Sequence, residues 1–131
     1  MLTHIYIRDF AIVDQLDLEL GHGLTVLTGE TGTGKSILVE ALGLVLGDRA
    51  DTGVIRHGSD RAEISSVFDL SHNQAATLWL NEHELDSDGD CQLRRVITNE
   101  GKSKGFINGR PVQLQMLREL GDLLVDIHGQ H

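Results

Sequence analysis

The chain contains little cysteine, little proline, few aromatic residues and few positive charges. Cys91 is the only cysteine of the 131 residues. No internal disulfide can therefore form, which excludes the small disulfide-stapled secreted scaffolds and favours a reducing compartment, the cytoplasm. Twenty acidic residues against eleven Lys and Arg give a formal net charge of −9, which argues against a polycation that coats nucleic acid or an acidic membrane. The longest apolar run, residues 37–46, contains Glu40 and is too short to span a membrane, so we expect a soluble protein.

Hydrophobic periodicity divides the chain into strands and helices of one α/β domain, residues 1–131. Alternation with period two predicts strands at residues 2–8, 15–20, 24–28, 62–70, 92–98 and 103–107. Helical spacing predicts helices at residues 34–46, 74–81 and 113–120, followed by a short apolar run at residues 123–127. Gly47 and Gly121 are placed to end the first and third helices, and Ser71 or Asn73 to cap the second. We expect the first helix to pack across the sheet and the chain from Cys91 onward to form an antiparallel meander.

Charge is segregated along the chain. Residues 63–90 hold seven acidic residues and no Lys or Arg, whereas residues 91–118 hold six basic residues and one acid, Glu100. Strand alternation can bring some of these basic side chains to one face, where they would contact a phosphate backbone. A solvated hairpin face is the plainer interpretation, since only Phe106 offers an aromatic ring for stacking. The candidate DNA-contacting residues are Arg94, Arg95, Lys102, Lys104 and Arg110.

The most specific motif is Gly29-Glu30-Thr31-Gly32-Thr33-Gly34-Lys35-Ser36. It matches the phosphate-loop pattern G-x-x-x-x-G-K-[ST] and lies between a predicted strand and a predicted helix. The glycines let the backbone wrap a phosphate closely, and the start of the helix adds partial positive charge. Lys35 is placed to reach the β- and γ-phosphates, and the Ser36 hydroxyl to complete the coordination of magnesium. The motif therefore predicts that residues 29–36 bind ATP and magnesium.

Further segments, in one order along the chain, resemble the RecN family of bacterial DNA repair proteins. RecN proteins are grouped with the SMC-type ATPases, whose ABC-type head is assembled from the two ends of one long chain. The resemblance spans essentially the whole sequence and covers only the N-terminal end of such a head. It implies the N-terminal lobe of a P-loop NTPase head. The segments are Phe10-Ala11-Ile12-Val13, Ala41-Leu42-Gly43, Leu46-Gly47-Asp48-Arg49-Ala50, Ile55-Arg56-His57-Gly58, Leu93-Arg94-Arg95-Val96-Ile97, Gly105-Phe106-Ile107-Asn108-Gly109, Leu117-Arg118-Glu119-Leu120-Gly121 and Ile127-His128-Gly129-Gln130-His131.

The resemblance also implies a function and site residues. ATP binding would join two heads, and hydrolysis would release them, during DNA double-strand break repair and recombination at the nucleoid. Gln130 falls at the position of the glutamine that reaches magnesium and the attacking water, so Lys35 and Gln130 are the expected catalytic residues. Arg56 lies in a segment near the nucleotide. The Leu-Ser-Gly-Gly signature, the acidic pair, the switch histidine and the coiled-coil heptads of a complete head are absent from the sequence.

These absences imply a part of a longer chain that awaits its C-terminal lobe. A phosphoryl-transfer site loses most of its rate enhancement when nothing orients water and no charge faces the γ-phosphate. We therefore expect an ATPase in the full-length protein, and ATP binding with little or no turnover in these 131 residues alone.

Two other functions stay open at this point. In a self-contained P-loop kinase or NTPase, Asp126 at the end of the apolar run would bind magnesium, and the chain would hydrolyse ATP unaided. In a non-catalytic interaction module, the nucleotide would only order the fold.

Metal sites built from the chain's own ligands are less favoured. Only His128 and His131 have ligand-like spacing among seven histidines, and Cys91 has no cysteine partner for zinc. The acidic segment 86–90 resembles the start of a calcium loop, but Cys91 and Ile97 stand where such a loop requires glycine and glutamate. A solvated acidic turn is the better interpretation.

Overall fold

A computed structural model describes residues 1–20 and 32–125 of the chain, with side chains from residue 36 onward in the second range. The described residues form a six-stranded sheet and three α-helices. Every neighbouring pair of strands is antiparallel, and the strand order is β2-β1-β3-β4-β5-β6. The elements are β1 (Leu2–Phe10), β2 (Val13–Glu19), α1 (Gly32–Val45), β3 (Arg61–Asp69), α2 (Gln74–Glu82), β4 (Asp90–Thr98), β5 (Ser103–Ile107), β6 (Arg110–Val112) and α3 (Leu114–Leu124).

The core lies against one face of this sheet. Alternate residues of the central strands point into it, and Ile7, Ile64 and Leu93 are fully buried there. Helix α1 packs across β3 and β4 with an apolar face that includes the buried Ala41 and Val45, as the helical spacing predicted. Each large aliphatic side chain buried in this way contributes roughly 1.5–3 kcal/mol to folding.

Gly47 ends α1 as predicted. Its φ of 112° lies in the left-handed region that glycine adopts without a steric penalty. The Gly47 N–H donates to the Leu44 carbonyl at 3.1 Å, and the Asp48 N–H donates to the Gly43 carbonyl at 3.0 Å. This pair of bonds is the Schellman arrangement, which satisfies carbonyls that the helix itself leaves without donors.

Asn73, rather than Ser71, caps α2. Its side-chain oxygen accepts from the Ala76 N–H at 3.0 Å, and its amide nitrogen donates to the Leu123 carbonyl at 2.8 Å. One side chain therefore both starts α2 and ties it to the last turn of α3.

The prediction that the third helix ends at Gly121 is wrong, because α3 continues to Leu124. Leu120, Gly121 and Leu124 are all buried, so Leu123 and Leu124, the first residues of the apolar run, belong to the helix, and Leu124 extends its buried face. Gly121 allows α3 to lie close to the end of α1, because a Cβ at this position would lie 2.8 Å from the Leu46 carbonyl oxygen.

The short edge strand β6 was not anticipated. It follows the predicted turn at Asn108-Gly109, where both residues have positive φ, and it pairs with β5 in the register Gly105↔Val112. Proline has no backbone N–H to donate to a neighbouring strand, so Pro111 is compatible with an edge strand. The strand predicted at residues 24–28 lies outside the described residues. Of the helices in the described ranges, none is long and apolar enough to cross a membrane.

Candidate functional site

The phosphate-loop motif runs into the start of α1, so that residues 32–36 form the first turn of the helix. The first four N–H groups of a helix have no carbonyl partner within it, and the peptide dipoles place about half a positive charge at this end. Such an end binds phosphate groups, and the first turn of α1 contains no acidic residue that would repel them. Ser36 is exposed in this turn, which leaves its hydroxyl accessible as an oxygen ligand of the kind magnesium prefers.

The other predicted members of the nucleotide site stay predictions. Gly32, Thr33 and Gly34 have helical backbone, so α1 begins two residues before the predicted start at Gly34. The remaining positions lie outside the described residues: Gly29, Glu30, Thr31, the side chain of Lys35, Asp126, His128, Gln130 and His131.

Arg56 lies in an exposed loop that is tied to the tip of the β1–β2 hairpin. The Arg56 N–H donates to the Asp9 carbonyl at 2.8 Å, and the Ala11 N–H donates to the Val54 carbonyl at 2.7 Å. The Arg56 guanidinium lies 3.9 Å from the Asp14 carboxylate, and both side chains are well exposed. The backbone of the loop is therefore fixed, whereas the Arg56 side chain is accessible to a ligand.

Arg95 is not part of an exposed basic patch. Its side chain is only 1% exposed, because it points from β4 into the core face beneath the C-terminal end of α1. One guanidinium nitrogen, Nη1, donates to the carbonyls of Leu44 at 2.5 Å and Asp48 at 2.8 Å, while Nε donates to Ser103 Oγ at 2.6 Å. Burial lowers the pKa of Arg95, the nearby Asp48 opposes this, and the group stays charged because an arginine side chain is not deprotonated in proteins.

The remaining basic residues of the meander do not share one face. Arg94 lies opposite Phe106 in the sheet, and Lys104 lies opposite Val96, which places both on the face away from the helices. Arg110 lies opposite the buried Ile107, so it belongs to the helix-bearing face, and its guanidinium donates to the Glu84 carbonyl. Of the five candidate residues, Arg94 and Lys104 therefore share a face, as strand alternation allowed for a subset, whereas Arg95 and Arg110 lie on the helix-bearing face.

Arg94 already has an anionic partner. Its Nε and Nη2 donate to the two oxygens of the Glu63 carboxylate at 2.9 and 3.2 Å, and its guanidinium lies 5.0 Å from the centre of the Phe106 ring. The bond from Arg94 lowers the pKa of Glu63, against a smaller opposing effect of burial. Because its charge is neutralised, Arg94 offers less to a phosphate than the exposed Lys102 and Lys104.

Cys91 is buried, and burial raises the pKa of its thiol to about 12, with a further contribution from Asp90. The thiol is therefore neither a nucleophile nor a metal ligand in the folded chain at neutral pH. Within residues 1–20 and 32–125 no three His, Cys, Asp or Glu side chains come together as a metal site.

A profile of the AAA domain family matches residues 4–124. This chain belongs to the AAA domain family. The DNA repair protein RecN of Vibrio cholerae is 53% identical over 131 residues, which cover all of this chain and 24% of that protein. The RecN protein of Bacillus subtilis is 42% identical over 132 residues, again covering 100% of this chain and 23% of that protein. This AAA domain thus resembles the N-terminal part of RecN, as its segments indicated, and spans about a quarter of the length of these curated relatives.

Solved structures confirm the fold of an ATPase head. An SMC ATPase structure, from work on ATP-driven dimerization and DNA-stimulated activation, superposes with a TM-score of 0.74 at 18% identity, covering 94% of this chain and 78% of that one. The SMC head domain from Thermotoga maritima gives a TM-score of 0.62 at 18% identity, covering 90% of this chain and 41% of that one. The recombination mediator RecF with ATP gives 0.59 at 15% identity, covering 95% and 30%. At these identities the likeness establishes the P-loop NTPase fold of this AAA domain and nothing finer.

Arg118 is the residue of this AAA domain that sequence reasoning missed. Its Nε donates to the Gly47 carbonyl at 3.0 Å across 71 residues of sequence, so it joins Arg95 at the end of α1. A basic residue in an amphipathic helix carries no local signal for such a contact, because solvent is its usual environment.

Proposed function

We propose that this chain binds ATP and magnesium through residues 29–36 and forms the N-terminal lobe of an ATPase head that acts in DNA double-strand break repair. The observation that carries the proposal is the position of the phosphate-loop motif at the start of α1 within an ATPase-head fold. The relatives support the biological role, since they are named DNA repair proteins.

In this proposal, different groups of the chain contact different parts of the bound nucleotide. The N–H groups of the first turn of α1 face the phosphates, and the Lys35 ammonium balances charge on the β- and γ-phosphates. The exposed Ser36 hydroxyl would supply one oxygen ligand to magnesium, and Gln130 would supply another and orient the attacking water. The chemistry that magnesium would supply here is neutralisation of charge on the phosphate oxygens.

Hydrolysis requires groups that this stretch of sequence does not contain. A complete site needs a residue that polarises water and a donor that faces the γ-phosphate from the opposite side. In the proposed assembly, a C-terminal lobe of the same protein supplies the first and a second head supplies the other. The SMC structure that resembles this chain comes from work on ATP-driven dimerization, which supports the engagement of two heads.

Steady-state ATP hydrolysis tests this proposal. The chain alone should show little turnover, and addition of the complementary part of a RecN relative should produce turnover that both Lys35→Ala and Gln130→Ala abolish. Turnover by the chain alone that Asp126→Ala abolishes would instead establish a self-contained P-loop NTPase. ATP-independent binding of a partner, with no turnover in any mixture, would establish the interaction module.

We also propose a narrow DNA contact through Lys102 and Lys104 in the assembled protein. Both side chains are exposed, and neither makes an ion pair within residues 1–20 and 32–125. Reversing both charges in the full-length protein should weaken DNA binding equally for unrelated sequences and reduce the slope of log affinity against log salt by about two. Arg110→Glu is the matched control, because Arg110 lies on the other face. An unchanged salt slope in the double reversal would contradict this contact.

A further inference from the structure

The C-terminal end of α1 is held by arginines from two different elements. Arg95 reaches it from β4 and donates to the Leu44 and Asp48 carbonyls, which flank the Schellman turn. Arg118 reaches it from α3 and donates to the Gly47 carbonyl within that turn. Cations at this end of a helix are favoured, because the carbonyls there carry partial negative charge.

The contacts around this end leave little room for movement. A Cβ at Gly47 would lie 2.6 Å from Arg118 Cγ and 2.8 Å from the Arg118 backbone nitrogen. On the next turn of α3, a Cβ at Gly121 would lie 2.8 Å from the Leu46 carbonyl oxygen. Helix α3 therefore touches the end of α1 backbone to backbone, and a displacement of either helix breaks several contacts at once.

Arg95 is the link between this end and the sheet. Through Nε it bonds Ser103 on β5, so a single buried side chain joins α1, β4 and β5. A buried guanidinium is costly unless its donors are satisfied, and an apolar side chain would fill the same space without that cost. An apolar side chain would pack in that space but would leave the Leu44 and Asp48 carbonyls without these donors, and so would lose the directed bonds that add to packing in orienting α1.

The two ends of α1 have different roles. Its 14 residues span roughly 21 Å as a stiff rod, with the phosphate-binding turn at the N-terminal end and the arginine contacts at the C-terminal end. We propose that Arg95 is a positioning residue for the phosphate site: it anchors the far end of α1 and so holds the first turn in the orientation that phosphate binding requires. This inference rests on the proposed function, because it concerns the same nucleotide site.

The test compares four variants with the wild-type chain by calorimetric ATP titration in magnesium and by hydrogen exchange of the α1 amides. Arg95→Met removes the bonds while keeping a long side chain, and Arg95→Lys restores a charge that reaches the carbonyls. Arg94→Met is the matched control, since Arg94 is the adjacent arginine on the opposite face of β4. Leu80→Ala, in the core of α2, controls for general loss of stability.

We expect Arg95→Met to weaken ATP binding roughly tenfold, the lower range seen when outer residues that orient a site are removed. Arg95→Lys should recover most of the affinity, and Arg94→Met and Leu80→Ala should leave it unchanged at a temperature where every variant is folded. Exchange should rise along α1 in Arg95→Met while the β1 and β3 amides stay protected. If Arg95→Met does not fold, Arg95→Lys and Ser103→Ala are measured in its place. We then expect a smaller loss of exchange protection, confined to the α1 amides.

Equal affinity and equal α1 protection in wild type and in the Arg95 variants would overturn the inference, as would the same loss in Leu80→Ala. Absence of ATP binding by the wild type would contradict the proposed function instead. The exchange comparison would then still decide whether Arg95 orients α1.

Discussion

The contrast between two helical glycines tests the packing of α1 against α3 most sharply. Gly43 and Gly121 both lie inside helices, where replacement by alanine ordinarily stabilises by about 1 kcal/mol. At Gly121 the added Cβ would lie 2.8 Å from the Leu46 carbonyl oxygen and 3.1 Å from Leu46 Cβ, so backbone must move. At Gly43 the Cβ would meet only the end of the exposed Asp48 side chain, at 2.6 Å from Oδ2, and that side chain can rotate away.

The expected changes in stability have opposite signs. Overpacking against backbone costs about 2–3 kcal/mol, which outweighs the gain in helix propensity and leaves Gly121→Ala about 1–2 kcal/mol less stable than wild type. Gly43→Ala should be stabilised by up to about 1 kcal/mol. Urea unfolding followed by circular dichroism measures both, and thermal midpoints should differ by roughly 3–5 °C per kcal/mol for a chain of this size. Equal stability of the two variants, or a gain in Gly121→Ala, would refute the close contact between α3 and the end of α1.

Three further predictions concern single side chains. Asn73→Ala should lower the free energy of unfolding by about 1–2 kcal/mol, since it removes both the cap of α2 and the bond to the Leu123 carbonyl. Asn73→Ser, which can still cap the helix, should recover part of this loss in the same urea assay. Equal stability of the two variants would count against the capping role. Because Arg94 lowers the pKa of Glu63, their pair stabilises the fold above the pKa of Glu63 in the unfolded chain, and this contribution is lost as the pH falls through the lower pKa of the folded state. The free energies of unfolding of Glu63→Gln and wild type should therefore differ by less than about 1 kcal/mol above about pH 5 and converge in acid. A difference that widens in acid would contradict this sign. Cys91, with its pKa raised to about 12, should resist iodoacetamide at pH 8 in the folded chain and react in denaturant, and equal rates in both would show that the thiol is accessible.

Local patterns predicted most of the fold, because hydrophobic periodicity and the glycines that end helices or form turns depend on neighbouring residues only. The alternation in residues 92–98 and 103–107 defined β4 and β5, and Gly47 marked the end of α1 through a backbone conformation that glycine favours. The order of the strands in the sheet depends on long-range pairing, and only the resemblance to ATPase heads indicated the architecture.

The errors have a common physical origin. Gly121 and Arg95 carry ordinary local signals, a helix stop and an exposed charge, but tertiary contacts give each of them another role. Gly121 is needed where α3 meets Leu46, and Arg95 satisfies carbonyls at the end of a helix more than 40 residues earlier in the chain. In β4, adjacent arginines point to opposite faces of the sheet, so composition alone could not separate Arg94 from Arg95.

For the nucleotide site, the sequence predicted a helix that begins within the phosphate-loop motif, at Gly34, and the structure has it begin at Gly32. The roles of Lys35 and Gln130 follow from the motif and the family resemblance, and they stay predictions. Their chemistry depends on where charged and amide groups meet a bound triphosphate, which strand and helix periodicity does not determine.

Calorimetric titration of the chain with ATP, with and without magnesium, measures whether the start of α1 binds a triphosphate. We expect binding that magnesium strengthens, that Lys35→Ala abolishes and that Ser36→Ala weakens only in the presence of magnesium. Absence of binding by the wild-type chain, or binding that survives Lys35→Ala unchanged, would contradict a phosphate site at the start of α1.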